Sequence, residues 1–151
     1  MRDQYRIGFI DVGGWDTHVN EGAAQGALAN NVESLGRGLA AMSQELGGEC
    51  RNTVVAVVSE FGRTFRENGN KGTDHGHGSV HWLLGGSING GRMAGEQTRV
   101  AKASLFQDRD YPVLNEYRAV LGGLFGTLWG LSADQVQRVF PGSTSVNLQL
   151  V

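Results

Sequence analysis

The chain has 151 residues, 40% of them hydrophobic, and 13 Lys+Arg against 15 Asp+Glu give a formal net charge of −2. That is the profile of one soluble globular domain over residues 1–151, large enough to bury a core without staples. The single cysteine, Cys50, excludes intrachain disulfide scaffolds, zinc ribbons and thioredoxin-like pairs. The charge balance argues against nucleic acid as a partner, and no stretch approaches the roughly 20 apolar residues of a membrane span.

The one compositional anomaly is 24 Gly beside 2 Pro. The glycines stand between apolar runs and beside histidines, as tight turns around a site would require. The opening residues, Met-Arg-Asp-Gln-Tyr-Arg, lack the apolar core of a secretion signal.

Residues 5–12 are β-rich and run into Gly13-Gly14, which predicts a buried strand ending in a turn. Leu28, Val32, Leu35, Leu39, Met42 and Leu46 then recur at alternating steps of four and three, the core-facing stripe of a helix that Gly47-Gly48 ends. Residues 53–59 form a continuous β-branched run, as in a central parallel strand. Strand, helix and strand make a βαβ unit. A long polar loop over 62–78 precedes a third strand at 79–84, and residues 88–98 read as a glycine-rich hairpin or excursion.

The apolar spacing over 113–131 predicts a helix with Pro112 in its first turn. Its four glycines imply close packing against the sheet. Ser132-Ala133-Asp134-Gln135 fits a capping box that opens a short final helix before Pro141. The predicted fold is therefore α/β, with a short, mainly parallel sheet flanked by helices.

All four histidines fall in two glycine-flanked clusters. One holds Asp16 and His18, and the other holds Asp74, His75, His77 and His81. In a parallel α/β sheet both would lie at strand ends, with Ser59 and Glu60 on the same rim. Oxygen and nitrogen donors of this kind suit zinc, or calcium, magnesium or manganese where carboxylates dominate. His81 sits within an apolar strand, where packing competes with ligation. Arg63 is a candidate for holding an anionic substrate oxygen. Ser59 and Ser79 are candidate nucleophiles, although neither stands in a Gly-x-Ser-x-Gly elbow.

Gly13-Gly14-Trp15-Asp16-Thr17-His18, Ser59-Glu60-Phe61-Gly62-Arg63-Thr64 and Gly72-Thr73-Asp74-His75-Gly76, in that order, resemble the bacterial family called domain of unknown function 1501. The likeness continues through Tyr117-Arg118-Ala119-Val120 to Val139-Phe140-Pro141-Gly142. The resemblance places the chain with the alkaline phosphatase and sulfatase superfamily and implies a metal-centred ester hydrolase. Asp16, His18, Glu60 and His75 would be its ligands by position, and Asp74 and His77 further candidates. It also implies that this chain matches the C-terminal part of a larger hydrolase, with the nucleophile upstream, and that such proteins are often exported to the periplasm.

The expected function is metal-assisted hydrolysis of a phosphate, sulfate or carboxylic ester of a small molecule, with His75, Arg63 and Ser59 in the chemistry. Its rivals are a non-catalytic metal-binding or assembly module and a serine carboxylesterase using Ser59 or Ser79 with His75. A sheet edge left open predicts a homodimer or an upstream domain that covers it.

Overall fold

The computed structural model describes residues 6–151. They divide into two compact units interleaved along the chain. The first comprises the described residues up to Glu45 together with Glu67–Asp74, and the second comprises Leu46–Arg66 and His75–Val151.

The helix of the first unit is α1, Ala27–Leu46, as the apolar spacing predicts. It gives way to a 3-10 helix, Gly47–Asn52, through Gly47 at φ 53°. The stripe is not core, however. Five of its six positions are half-buried and Val32 is exposed, and no residue of α1 is buried. Residues 6–12 also depart from expectation. They form no strand, and Ile7, Phe9 and Ile10 are exposed, Phe9 to 90%. Tyr5, the start of the predicted strand, lies outside the described residues. A β-prone segment needs a ladder partner to become a strand, and among the described residues the βαβ unit is absent.

The second unit contains β1, Val54–Val57, β2, Gly62–Arg63, β3, His75–Gly76, and β4, Trp82–Gly85. β1 pairs antiparallel with β4, from Val54 opposite Gly85 to Val57 opposite Trp82, and β2 pairs antiparallel with β3. These small antiparallel sheets overturn the expected parallel, alkaline phosphatase-like sheet. A β-branched run specifies a strand but not its neighbour, and here β1 finds β4. The long loop over 62–78 is partly a ladder, since its two ends form β2 and β3. Residues 88–98 carry no helix or strand.

α2, Tyr117–Trp129, packs on α3, Ala133–Val139, and the buried apolar residues among those described, Ala119, Leu124 and Val136, all lie on these two helices. Two of the four glycines, Gly122 and Gly123, serve close packing, against α3 and the following tail and not against a sheet, whereas a Cβ at Gly126 or Gly130 would meet no atom closer than 3.8 Å. A Cβ at Gly122 would lie 2.9 Å from Val136 Cγ1, and one at Gly123 would collide with the Val146 carbonyl. α3 opens on the predicted capping box, with Ser132 and Gln135 bonded reciprocally. α2 starts later than predicted, and Glu116 caps it. The Glu116 carboxylate accepts the backbone N–H groups of Arg118 and Ala119 at 3.1 and 3.0 Å, Arg118 Nε at 2.8 Å and the Ser143 hydroxyl at 2.9 Å.

Burial alone would push the Glu116 carboxyl up. The bonds from Arg118, Ser143 and the two backbone N–H groups outweigh it and hold the group at about 2, below the ordinary 4.5. Because the folded value is the lower one, this contribution to stability is complete above pH 4.5 and is lost as pH falls toward 2. Glu116→Gln is therefore expected to cost about 0.5–2 kcal/mol at neutral pH, the range for a lost cap. The gap between parent and variant should close between pH 4.5 and 2. Thermal melts across that range check this, and a gap independent of pH would contradict it.

Candidate metal centre

In the first unit two chain segments are tied side by side. Asn20 and Glu21 donate their backbone N–H groups to the carbonyls of Asn70 and Lys71 at 3.0 and 2.9 Å, and Thr73 donates to Thr17 at 3.4 Å. Gly72 makes the approach sterically feasible, because a Cβ there would collide with the backbone of His18. Glu21, buried on this seam, accepts the Thr73 hydroxyl at 2.7 Å.

Asn68 locks the turn between them. Its side-chain oxygen accepts the N–H groups of Asn70 and Gly72 at 2.9 and 3.1 Å. Its amide nitrogen donates to the His18 carbonyl and to Asp74 Oδ1, both at 3.0 Å. One amide thus holds His18 and Asp74 together, although they are 56 residues apart in the chain.

His18 then faces a carboxylate at each ring nitrogen. Nδ1 is 3.3 Å from Asp74 Oδ1, and Nε2 is 2.8 Å from Asp16 Oδ1. Ionised carboxylates only accept, so with a single N–H on the ring one of these two contacts would set lone pair against lone pair, whereas a ring carrying a proton on each nitrogen donates to both. A cation between the nitrogen and the oxygen removes that conflict. If Nδ1–H donates to Asp74, the nitrogen left for a metal is Nε2, which faces Asp16. This is the carboxylate–histidine–metal pattern, in which an outer carboxylate fixes the ring and its tautomer. Two donors on one tetrahedral zinc stand about 3.4 Å apart at bond lengths of about 2.1 Å, so the Asp16–His18 pair has to open slightly. The His18 side chain is 40% exposed and that of Asp16 63%.

The second unit holds the remaining predicted residues. β2 and β3 place Arg63 opposite His75. The ring of Phe61 stacks on that of His75, with centroids 4.2 Å apart and planes within 6°, and the Arg63 guanidinium lies 5.0 Å from the Phe61 centroid. His77 is held by Asp110, whose side chain is fully buried. Asp110 Oδ2 accepts the His77 backbone N–H at 2.6 Å and faces its ring Nδ1 at 2.8 Å, while Arg109 Nε donates to Oδ1 at 3.2 Å. Burial pushes the Asp110 carboxyl up, but the bonds and charge from His77 and the bond from Arg109 prevail and hold it below the ordinary range.

Glu60 is exposed in the turn after β1, and Ser79 is exposed ahead of β4. The Ser59 hydroxyl serves that same turn, donating to the Phe61 carbonyl at 2.9 Å and accepting the Phe61 N–H at 3.4 Å. His81 is half-buried, and burial lowers its basicity. Sequence reasoning missed Asn68 and Asp110. The run Asn68-Gly69-Asn70-Lys71-Gly72 is a turn signal that points to the first, whereas nothing in the local sequence marks the second.

No helix among the described residues is long and apolar enough to cross a membrane. The family model described as "Protein of unknown function (DUF1501)" matches residues 1–140. No curated protein and no solved structure matches the chain.

Proposed function

The chain belongs to the DUF1501 family, and we propose that it is a metal-binding member in which Asp16 and His18 hold a divalent cation. The observation that carries this reading is His18, set between Asp16 and Asp74 with an acceptor at each ring nitrogen. An imidazole beside a carboxylate favours zinc over calcium or magnesium, which prefer oxygen ligands. The roles divide accordingly. Asp16 and His18 ligate, Asp74 orients His18, and Asn68 holds Asp74.

A ligand that binds only the folded chain stabilises it by about 2.7 kcal/mol at a hundred times its dissociation constant. For a chain of this length that raises the melting temperature by roughly 5–11 °C. Zinc added to chelator-treated protein should produce that shift, and EDTA should reverse it. A melting temperature indifferent to both would remove the metal from this reading.

A hydrolytic use is the second reading, and it draws on the second unit. Arg63, ordered against Phe61, stands opposite His75 in the β2–β3 ladder, where a guanidinium can take two oxygens of an anionic group. A bound cation would supply Lewis acidity toward an ester and a lowered pKa for bound water. Chromogenic phosphate, sulfate and carboxylic esters separate the alternatives. Turnover that chelation abolishes supports hydrolysis, whereas turnover that survives chelation supports the serine route through Ser59 or Ser79 with His75. A chelation-sensitive melting temperature without turnover leaves the metal-binding or assembly module.

A further inference from the structure

We propose that α1 is the interface for a second copy of this chain, the two helices packing antiparallel about a two-fold axis at the helix centre. The stripe Leu28, Val32, Leu35, Leu39, Met42 and Leu46 occupies strict a and d positions of a heptad, narrower than the face of a helix that packs on a globular core. No residue of α1 is buried; Val32 is 41% exposed and the other five stripe residues are half-buried. The spacing is also the same read in either direction. Turned end for end, Leu28 meets the partner's Leu46, Val32 meets the partner's Met42, and Leu35 meets the partner's Leu39, each an a position against a d position. That self-complementarity is what an isologous contact requires.

The glycines of α1 are a second, independent sign. Gly36 and Gly38 stand in mid-helix, where glycine is the poorest helix former after proline. A Cβ at either would meet nothing within 4 Å, so packing within the chain does not account for them. They flank the seam at its centre. In the antiparallel pair each faces its own copy across the two-fold axis, where a missing Cβ lets the backbones approach.

Charge is compatible with the same arrangement. Asn31 falls opposite the partner's Glu45, and Ala29 falls opposite the partner's Ser43, so no like charges meet along the seam. Glu33 and Arg37 lie off the seam and pair with each other at 2.5 Å.

A single helix pair is a small interface, at the low end of the range for specific contacts, so association should be evident at about 100 µM chain and weaken on dilution. Sedimentation equilibrium is expected to give twice the 16.2 kDa mass of the chain at that concentration. The double variant Gly36→Gln/Gly38→Gln improves helix propensity and fills only open space. It should keep or raise the helical circular dichroism while sedimenting as a monomer. Orientation is read on a Cys50→Ser background. Gly38→Cys should form an intermolecular disulfide readily, and Leu28→Cys, whose partner position is Leu46, should not. A parent of single-chain mass at about 100 µM overturns the proposal. So does a double variant that stays dimeric, or a disulfide at Leu28→Cys in place of Gly38→Cys.

Discussion

Replacing His18 with alanine is expected to lower zinc affinity by at least about a hundredfold while leaving the metal-free protein nearly as stable as its parent. The affinity loss follows from the double role of the ring, whose Nε2 faces Asp16 and whose Nδ1 faces the orienting Asp74. Changing an outer orienting group alone costs about 10–100-fold, and a lost ligand exceeds that. Stability is spared because the ties between the two segments run through the main chain. The His18 carbonyl still accepts from Asn68, and Gly72 still lies against the His18 backbone. Asn68→Ala is the contrasting case. It removes the amide that positions Asp74 and frees the N–H groups of Asn70 and Gly72, so affinity and metal-free stability should fall together. Calorimetric zinc titration beside melting curves in EDTA measures both. A His18→Ala protein that binds zinc like its parent would place the metal elsewhere.

The largest stability effect is expected at Leu124→Ala. Leu124 is 3% exposed in the small core where α2 packs on α3. Removing its side chain there loses transfer free energy and leaves a cavity that the surroundings close only in part. The loss should be about 2–5 kcal/mol, or roughly 4–20 °C in melting temperature. Few other buried apolar side chains are available to compensate, Ala119 and Val136 being the ones described. Denaturant unfolding should show a lower midpoint with an unchanged slope. A loss below about 1 kcal/mol would mean that this helix pair is not what holds the second unit together.

The sequence was legible where a signal is local. The stripe over 28–46 gives α1, and the β-branched run gives β1. The Ser132–Gln135 box gives the start of α3. It was misleading where the outcome depends on a partner distant in the chain. Residues 6–12 have strand-like composition, yet composition does not say which neighbour completes the ladder, and among the described residues they have none. The parallel arrangement failed for the same reason, since β1 is set by the antiparallel register with β4. The start of α2 was misplaced because Glu116, a side chain outside the usual cap residues, caps it through two backbone N–H groups.

The candidate site divides in the same way. Asp16, His18 and Asp74 stood out by residue type in glycine-rich turns, and the first unit brings these three into contact. The Asn68 bonds that hold them arise only when residues far apart in the chain meet. Glu60 stood out by its place after a β-branched run, which says nothing of where its side chain points.

The metal-binding account is tested most directly by equilibrium dialysis of untagged, chelator-treated protein against zinc, followed by elemental analysis of metal per chain. The account predicts one tightly held zinc in the parent protein, none in the His18→Ala variant, and a reduced content in Asp16→Ala. Parent protein that retains no zinc above the dialysis buffer, or that retains it undiminished when both His18 and Asp16 are alanine, would contradict it.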